Sequence, residues 1–452
     1  MYIHKLFVSV LFLLLITSCS KDSGEQELGQ INVFSVTIEG GKVISGMDNI
    51  SINPKLRFVF SKSIDLNSFE QALKINPSSN LTIASINYLN NSSAIEVLLN
   101  LEYNSTYEVE LEGAIGINGE ALSEVINFSF KTQVDDTIYE RPACLNGNDC
   151  KQSVLISNAT GEGNFDFYAN YPIYEDNAQW QNLEKAVIVV HGASINPDDY
   201  YGYMTTTFEA LGISEKTVLI APDFKSSEVS SGDLYWSSLG YRDGKASNGT
   251  TKISSFEVLD ILINRLADKN HFPVLNEIVV TGQSSGGRFV HTYAAGNRSE
   301  STHTDIHFEY IVSESQYFYY PTNQRIDEQT NNLYVPSNCN GLRFWPFGYE
   351  LAPDYVNVLD KTAFDERFVN RSITYLLGNG SGTDSELNIS DCEAVLSGSS
   401  RYQRGENMYL YMGLKLPGHN HKKTITQGIS HNGSAIYTSP EFKALLNQLF
   451  NN

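Results

Sequence analysis

Residues 278–287 read Ile-Val-Val-Thr-Gly-Gln-Ser-Ser-Gly-Gly, an apolar run that leads directly into the pattern Gly-x-Ser-x-Gly. The fixed positions are Gly282, Ser284 and Gly286. In a nucleophile elbow, the central serine of this pattern occupies a tight strand-to-helix turn that exposes its hydroxyl. Ser284 is therefore a candidate nucleophile for acyl transfer. The competing interpretation is a glycine-rich loop without chemistry, because three fixed positions often coincide by chance.

A serine hydroxyl attacks a carbonyl only when a base takes its proton and an acid orients that base. For an elbow of this kind the chain order is serine, then aspartate or glutamate, then histidine. His431 is the best candidate base, since it follows the last predicted strand and precedes the final predicted helix. We expect His419 and His421 to lie in a solvated turn, and His291 to pack on the helix after the elbow.

The orienting acid should follow the strand predicted at 373–377. Asp384 is the first carboxylate after that strand, and it precedes His431. Glu386 and Asp391 are the alternatives if Asp384 only caps a turn.

An oxyanion hole requires two backbone N–H groups that face the developing negative charge. One comes from the residue after the nucleophile, which is Ser285, and the other from a loop after an earlier strand. The sequence Val-His-Gly-Ala at 190–193 ends such a strand. Ala193 is therefore the second predicted donor, with Gly192 as the alternative, and His191 is expected to shape the loop.

The elements that must position these residues are continuous apolar strands alternating with helices. Continuous apolarity is expected when helices cover both faces of a sheet, and the alternation indicates a largely parallel α/β sheet. The strands are predicted at 186–190, 218–221, 277–280, 310–312 and 373–377. One helix is predicted from an apolar stripe over 256–266, another after the elbow at 288–295, and a last one at 441–450.

The elbow, the His-Gly loop, the acid after a strand and the late histidine occur in the order of an α/β-hydrolase, and residues 154–452 resemble that family. Within it they resemble exported esterases with the elbow Gly-x-Ser-Ser-Gly-Gly. The resemblance extends to the phrases Leu-Tyr-Trp at 234–236, Gly-Tyr-Arg-Asp-Gly at 240–244, Phe-Trp-Pro-Phe-Gly-Tyr at 344–349 and Asp-Cys-Glu-Ala at 391–394 followed by Arg401.

The resemblance implies a serine carboxylic ester hydrolase that uses no cofactor. The preference for an ester over an amide rests on the resemblance alone, and the substrate can be a small ester, a polyester or an acylated polysaccharide. One departure concerns the turn before the acid, which Gly-Ser-Gly at 380–382 lengthens relative to the family. An inactive hydrolase fold that serves as a surface binding protein and an exported serine peptidase are the alternative functions.

Residues 31–132 carry short alternating strands separated by Gly, Asn, Pro and Ser, which is typical of an all-β sandwich. The phrase at 52–65 resembles bacterial Ig-like domains that precede catalytic modules. We expect a spacer, with substrate or glycan binding as the alternative. Residues 133–153 are expected to be a linker.

The chain begins with a basic residue and a short apolar run that ends Ile-Thr-Ser-Cys at 16–19, which resembles the lipobox of bacterial lipoproteins. Residues 1–18 are therefore predicted to be a signal peptide, Cys19 the lipidated residue and 19–30 a tether. The expected location is the bacterial cell envelope, at the outer membrane and anchored by lipid. An ordinary secretory signal is the alternative.

Four cysteines remain after Cys19, an even number in an exported chain, which favours disulfides over metal ligation. Three pairings are possible. We favour Cys144–Cys150, which closes a short polar loop, and Cys339–Cys392, which closes a long one.

With 52 acidic against 31 basic residues, the chain has a formal charge of −21, which disfavours nucleic-acid partners. The sequence contains no metal-ligand constellation, phosphate loop or basic patch. Two aromatic inserts, 225–251 and 316–360, are expected either to line a substrate cleft or to pack against the helices.

Overall fold

The computed structural model describes residues 29–79, 81–133, 141–175 and 178–450. The predicted signal peptide and Cys19 lie outside these residues. Within them, no helix combines the length and the apolar character that crossing a bilayer requires. The chain divides into two compact units, Met1–Asp136 and Thr137–Asn452.

The first unit contains two sheets around one hydrophobic core. A five-stranded sheet has the order β2-β1-β4-β7-β6, and a four-stranded sheet has the order β3-β9-β8-β5. Phe58 and Val97 from the first sheet and Tyr107 and Phe130 from the second are buried in the same core, which confirms the predicted sandwich. The elements are β1 Val33–Ile38, β2 Gly41–Lys42, β3 Met47–Ile50, β4 Lys55–Phe60, α1 Leu66–Ala72, β5 Leu73–Asn76, β6 Leu81–Leu89, β7 Ala94–Leu101, β8 Thr106–Leu111 and β9 Ile126–Thr132.

The second unit is built on an eight-stranded sheet with the order β10-β11-β13-β12-β14-β15-β18-β19. The β10–β11 and β11–β13 pairs are antiparallel and the other pairs are parallel. Its strands are β10 Lys151–Asn158, β11 Gly161–Ala169, β12 Lys185–Val190, β13 Thr217–Pro222, β14 Glu277–Gln283, β15 His307–Ser313, β18 Ile373–Gly378 and β19 Lys422–Thr426, with a separate pair β16 Arg325–Ile326 and β17 Leu333–Tyr334.

Helices cover both faces of this sheet, which explains the continuous apolar runs. They are α2 Pro197–Leu211, α3 Ser255–Leu266, α4 Ser285–Gly296, α5 Ser299–Thr302, α6 Asp354–Asn357, α7 Lys361–Asn370, α8 Cys392–Val395, α9 Arg401–Lys415, α10 Gly433–Tyr437 and α11 Pro440–Phe450. On β12, Val187 and Val189 pack with α2, α10 and α11, whereas Ile188 and Val190 pack with α3, α4, α7 and α9. The predicted α/β-hydrolase fold class is confirmed.

The segment predicted as a linker, 133–153, ends earlier than expected. Strand β10 begins at Lys151, and the Cys144 N–H donates to the Asn170 carbonyl of the second unit at 2.8 Å. The chain from residue 141 to 153 therefore belongs to the second unit.

Both favoured disulfides are confirmed. Cys144 is bonded to Cys150 immediately before β10. Cys339 is bonded to Cys392, which ties the second aromatic insert to the first residue of α8.

Candidate active site

Ser284 occupies the strand-to-helix turn between β14 and α4 with φ 60° and ψ −115°, a conformation that costs a non-glycine residue energy. The turn is held against β12, because a Cβ atom on Gly286 would lie 2.1 Å from the Val190 carbonyl oxygen. No side chain fits at that position. The predicted nucleophile elbow is therefore present, and its glycine has a steric reason.

Ser284, Ala193 and His431 line one polar cavity of about 270 Å³. They follow β14, β12 and β19, which are strands of the parallel part of the sheet, so their carboxyl ends meet at this edge. The other residues that line the cavity are Gly192, Ser194, Asn196, Tyr200, Tyr203, Gln283, Glu386, Asn432, Gly433 and Ser434. The structure thus brings the predicted nucleophile, base and second oxyanion donor to one place.

His431 lies in the loop between β19 and α10, as predicted. Its Nδ1 is 3.6 Å from Asp384 Oδ1 and 3.8 Å from Glu386 Oε2. Its Nε2 is buried and has no hydrogen-bond partner among the described residues. Ser284 is not directly hydrogen-bonded to it, and such contacts often tighten only when a substrate is bound. Nδ1 of the imidazole therefore faces the carboxylates of Asp384 and Glu386, and Nε2 is free to accept a proton.

Asp384 is fixed by a buried arginine. Arg401 Nε donates to Asp384 Oδ2 at 2.5 Å, and its Nη1 donates to the Glu314 carbonyl at 3.1 Å. Burial alone would raise the pKa of the Asp384 carboxyl, but the hydrogen bond and charge of Arg401 outweigh it and hold the pKa below its ordinary value. Asp384 is thus anionic where it faces His431.

The two alternative acids differ from Asp384. The Glu386 side chain is 63% exposed, against 16% for Asp384, and therefore holds the imidazole less rigidly. Asp391 precedes α8 and accepts from Asn388 Nδ2 at 2.6 Å. Asp384 is the acid that the geometry favours.

The glycines of the turn before the candidate acid have a structural reason. A Cβ atom on Gly380 would lie 2.6 Å from the Ile429 carbonyl carbon, and the Gly380 N–H donates to the Ile429 oxygen at 2.7 Å. The acid loop therefore packs directly against the backbone that leads to His431. The extra glycines bring the two loops together.

Of the two predicted oxyanion donors, Ser285 directly follows Ser284 in the chain, and Ala193 lines the same cavity as Ser284. Ser285 is the first residue of α4, so its N–H has no acceptor within the helix. Ala193 is exposed to the cavity, and its N–H makes no hydrogen bond in the described part of the chain. Both groups are available to a negative oxygen.

Three other histidines are buried and inert. His191 accepts from the Phe224 N–H at 3.1 Å, and burial lowers its pKa to about 4, so it shapes its loop as expected. His291 is fully buried in α4. The expected solvated position was wrong for His421, which is 5% exposed and contacts the Tyr375 hydroxyl and the Phe368 carbonyl.

Sequence reasoning missed a buried carboxyl next to the acid. Glu314 follows β15 with φ 46° and accepts from the Gly378 N–H at 2.6 Å. Burial, opposed by that hydrogen bond and by Arg401, raises its pKa to about 7. The sequence signal that could have revealed Glu314 is its position as a charged residue directly after the buried strand β15. Glu314 joins the ends of β15 and β18 beneath the acid loop.

Most aromatic side chains of the two inserts pack rather than line a cleft. Trp236, Phe318, Tyr319 and Tyr320 are buried in the core of the second unit. Tyr317 is only half-buried. The inserts were expected either to line a substrate cleft or to pack against the helices. Packing is observed for Trp236, Phe318, Tyr319 and Tyr320.

Among the described residues, one group has the spacing of metal ligands: Cys339, Cys392 and Glu393. Its two sulfur atoms are bonded to each other, so the group offers a single free carboxylate. It is not suited to hold a metal ion.

Comparison with known proteins identifies the first unit. Residues 31–132 match the bacterial Ig-like domain family. No curated protein is significantly similar to the chain.

Solved structures resemble the second unit distantly. The poly(3-hydroxybutyrate) depolymerase of Bordetella parapertussis is 16% identical over 64% of this chain and 87% of its own, with a TM-score of 0.45. The poly(aspartic acid) hydrolase-1 of Sphingomonas sp. KT-1 is 18% identical over 63% and 95%, with a TM-score of 0.43. An S-formylglutathione hydrolase of Staphylococcus aureus is 13% identical over 66% and 98%, with a TM-score of 0.37. Likeness at this level assigns no activity.

The ionisation of His431 should depend on Arg401. Burial and then the charge of Arg401 lower the pKa of His431 below 6.5, while Asp384 and Glu386 oppose them. The substitution Arg401→Gln removes a positive charge near His431, so the pKa of His431 should rise. NMR titration of the imidazole measures it, with His431→Gln to assign the signal.

Arg401→Lys serves as the control because it keeps the charge, and its His431 should titrate closer to the wild-type value. If the glutamine variant and the wild type titrate at the same pH, Arg401 has no electrostatic influence on this imidazole.

Proposed function

We propose that this chain is a serine hydrolase that cleaves carboxylic esters through an acyl-enzyme. The observation that carries the proposal is the shared cavity of Ser284 and His431. There a strained serine faces the same space as an imidazole whose Nε2 lacks a partner and whose Nδ1 lies 3.6 Å from Asp384. A packed structural histidine has no need for such an arrangement.

In the proposed reaction, Ser284 Oγ attacks the ester carbonyl while His431 Nε2 takes the hydroxyl proton. The N–H groups of Ser285 and Ala193 stabilise the tetrahedral oxyanion. His431 returns the proton to the departing alcohol, and water, activated by the same imidazole, then cleaves the acyl-enzyme. Asp384, held by Arg401, orients the imidazole and stabilises its protonated form.

Two other functions use the same fold. An inactive binding protein would not need a free Nε2 or a paired acid in the cavity. A serine peptidase would use the same three side chains on an amide, and the preference for an ester rests on the resemblance of the elbow and its neighbouring phrases to exported esterases.

A fluorophosphonate probe should label the wild-type protein at Ser284, because only an activated serine reacts with it. Ser284→Ala should abolish both labelling and hydrolysis of short-chain p-nitrophenyl esters. Ser237→Ala, which removes an exposed hydroxyl elsewhere in the second unit, is the matched control. Labelling is read by mass spectrometry of the modified peptide.

Equal labelling of Ser284→Ala and the wild type would remove Ser284 as the nucleophile. A labelled enzyme that cleaves aminoacyl amides and no ester from acetyl to feruloyl would be a peptidase. A wild-type protein that is folded but unreactive would be an inactive binding protein.

Asp384→Asn should lower kcat for an ester by about 10⁴, as expected when the acid that orients the imidazole is lost. Glu386→Gln is the matched control, because it removes an exposed carboxylate at nearly the same distance from His431. Its kcat should fall by less than about tenfold, the range of an exposed charge interaction. The reverse order of the two losses would transfer the role to Glu386.

We further propose that the enzyme is exported and anchored by lipid on Cys19, with the Ig-like domain as a spacer between anchor and catalytic unit. The lipobox-like phrase at 16–19 supports this location in the bacterial cell envelope, at the outer membrane.

When the full chain is expressed in bacteria with a labelled fatty acid, the wild-type protein should incorporate label and partition with membranes. Cys19→Ser should do neither, and it should remain hydrolytically active in solution because Cys19 lies far along the chain from the catalytic unit. Incorporation of label by Cys19→Ser would contradict the anchor.

A further inference from the structure

Two arginines near Ser285, the residue after the proposed nucleophile, contact the same aromatic ring. The guanidinium carbons of Arg288 and Arg242 are 4.7 Å and 5.9 Å from the centre of the Tyr317 ring. Arg288 belongs to α4, two residues after Gly286, and Arg242 belongs to the first aromatic insert. Neither residue has a role in the proposed acyl transfer.

Their charges are not balanced. Arg288 is buried and forms an ion pair with Asp243, with 2.5 Å between Nη2 and Oδ1. Arg242 forms no ion pair with a carboxylate of the described chain. Its Nη1 is 3.4 Å from Ser285 Oγ, and its Nε is buried without a hydrogen-bond partner. Of these two guanidinium groups, only that of Arg288 therefore has an ion-paired carboxylate among the described residues.

Another arginine near Tyr317 also lacks an ion-paired carboxylate. Arg404 is 1% exposed and is held only by carbonyl and amide oxygens, those of Gly398, Gln316 and Asn388, with Gln316 directly before Tyr317. Arg401, by contrast, forms an ion pair with the carboxylate of Asp384. Arg404 is thus a second guanidinium near Tyr317 that forms no ion pair with a carboxylate of the described residues, in a chain whose formal charge is −21.

Placing a cation without a partner in a partly buried site costs free energy, and a site that keeps one usually receives an anion. A guanidinium presents a planar fork of donors that matches a carboxylate in two parallel hydrogen bonds. Arg242 has such donors free, and its Nη1 lies within hydrogen-bond distance of the side chain next to Ser284.

We propose that Arg242, supported by Arg288 and Tyr317, binds a carboxylate group carried by the ester substrate. This inference rests on the proposed ester hydrolysis and names its substrate class as anionic esters. The carboxylate belongs either to the acyl part or to the alcohol part of the substrate, and the same guanidinium fork serves both.

Arg242 has one other use at this position, which is to stabilise the oxyanion itself. That role would make it equally important for charged and neutral esters. A substrate-binding role makes it important for the charged ones in particular, so the ratio of the two specificity constants separates the roles.

Two matched pairs of esters test the proposal. In the acyl pair, mono-p-nitrophenyl adipate is compared with p-nitrophenyl hexanoate, which has a methyl group in place of the carboxylate. In the alcohol pair, 4-acetoxybenzoate is compared with 4-acetoxybenzamide. The wild-type enzyme should have a kcat/KM at least about tenfold higher for the charged member of one pair, as expected for one hydrogen-bonded charge pair.

Arg242→Gln should lower that ratio by about tenfold or more, mainly through KM, and Arg242→Lys should restore part of it. Arg343→Gln is the matched control, because Arg343 belongs to the same unit and its side chain is 60% exposed. It makes the same change in net charge and should leave the ratio unchanged.

Equal losses on charged and neutral esters in Arg242→Gln would overturn the proposal in favour of the oxyanion role. A wild-type ratio of about one or below in both pairs would also overturn it, without any variant having to fold. If no ester is turned over in a Ser284-dependent way, the proposed function itself fails. If charged and neutral esters are turned over equally well, the anionic substrate class is wrong but the proposed ester hydrolysis stands.

Discussion

The close approach of Gly286 to the Val190 carbonyl is the contact on which the candidate site depends. It allows α4 to begin directly against the end of β12, so that Ser284 is forced out of the helix into its strained conformation. The same end of β12 continues into the loop that carries Ala193. One backbone contact therefore sets the distance between Ser284 and the loop of Ala193, the second proposed oxyanion donor. Any side chain at residue 286 would separate them.

A second set of contacts brings together the proposed proton-transfer residues, Asp384 and His431, from two separate loops. Gly380 lies against Ile429, so the loop after β18 and the loop after β19 are held together by backbone contact. Arg401 then fixes Asp384 from below, and it is itself anchored to the Glu314 carbonyl. The acid is thus positioned by an ion pair rather than by a short turn.

Much of this could be predicted from the sequence because the signals are local. Buried strands are continuous apolar runs, and the elbow is a contiguous motif. His431 was singled out by chain order together with its position after the last predicted strand and before the final predicted helix. The antiparallel hairpin β10–β11 was not predicted, because β10 alternates exposed and half-buried positions and reads as a polar segment. His421 was expected in solvent because its neighbours are polar, although its two ring nitrogens find partners on β18 and α7. The role of Arg401 depends on a contact with a residue 17 positions earlier, and no local pattern reveals it.

The buried histidines have a consequence for how the protein responds to acid. Burial lowers the pKa of His191 to about 4 and those of His291 and His421 to about 3. These three imidazoles therefore remain neutral throughout the interval from about pH 5 to pH 8 in which histidine ordinarily changes charge. Mild acidification therefore adds no charge at these three histidines, whereas the buried carboxyl of Glu314, whose pKa burial raises to about 7, takes up a proton in that interval. The acid-sensitive part of the interior thus includes the edge of the sheet where Glu314 accepts from Gly378, whereas the packing around the three imidazoles keeps its charge.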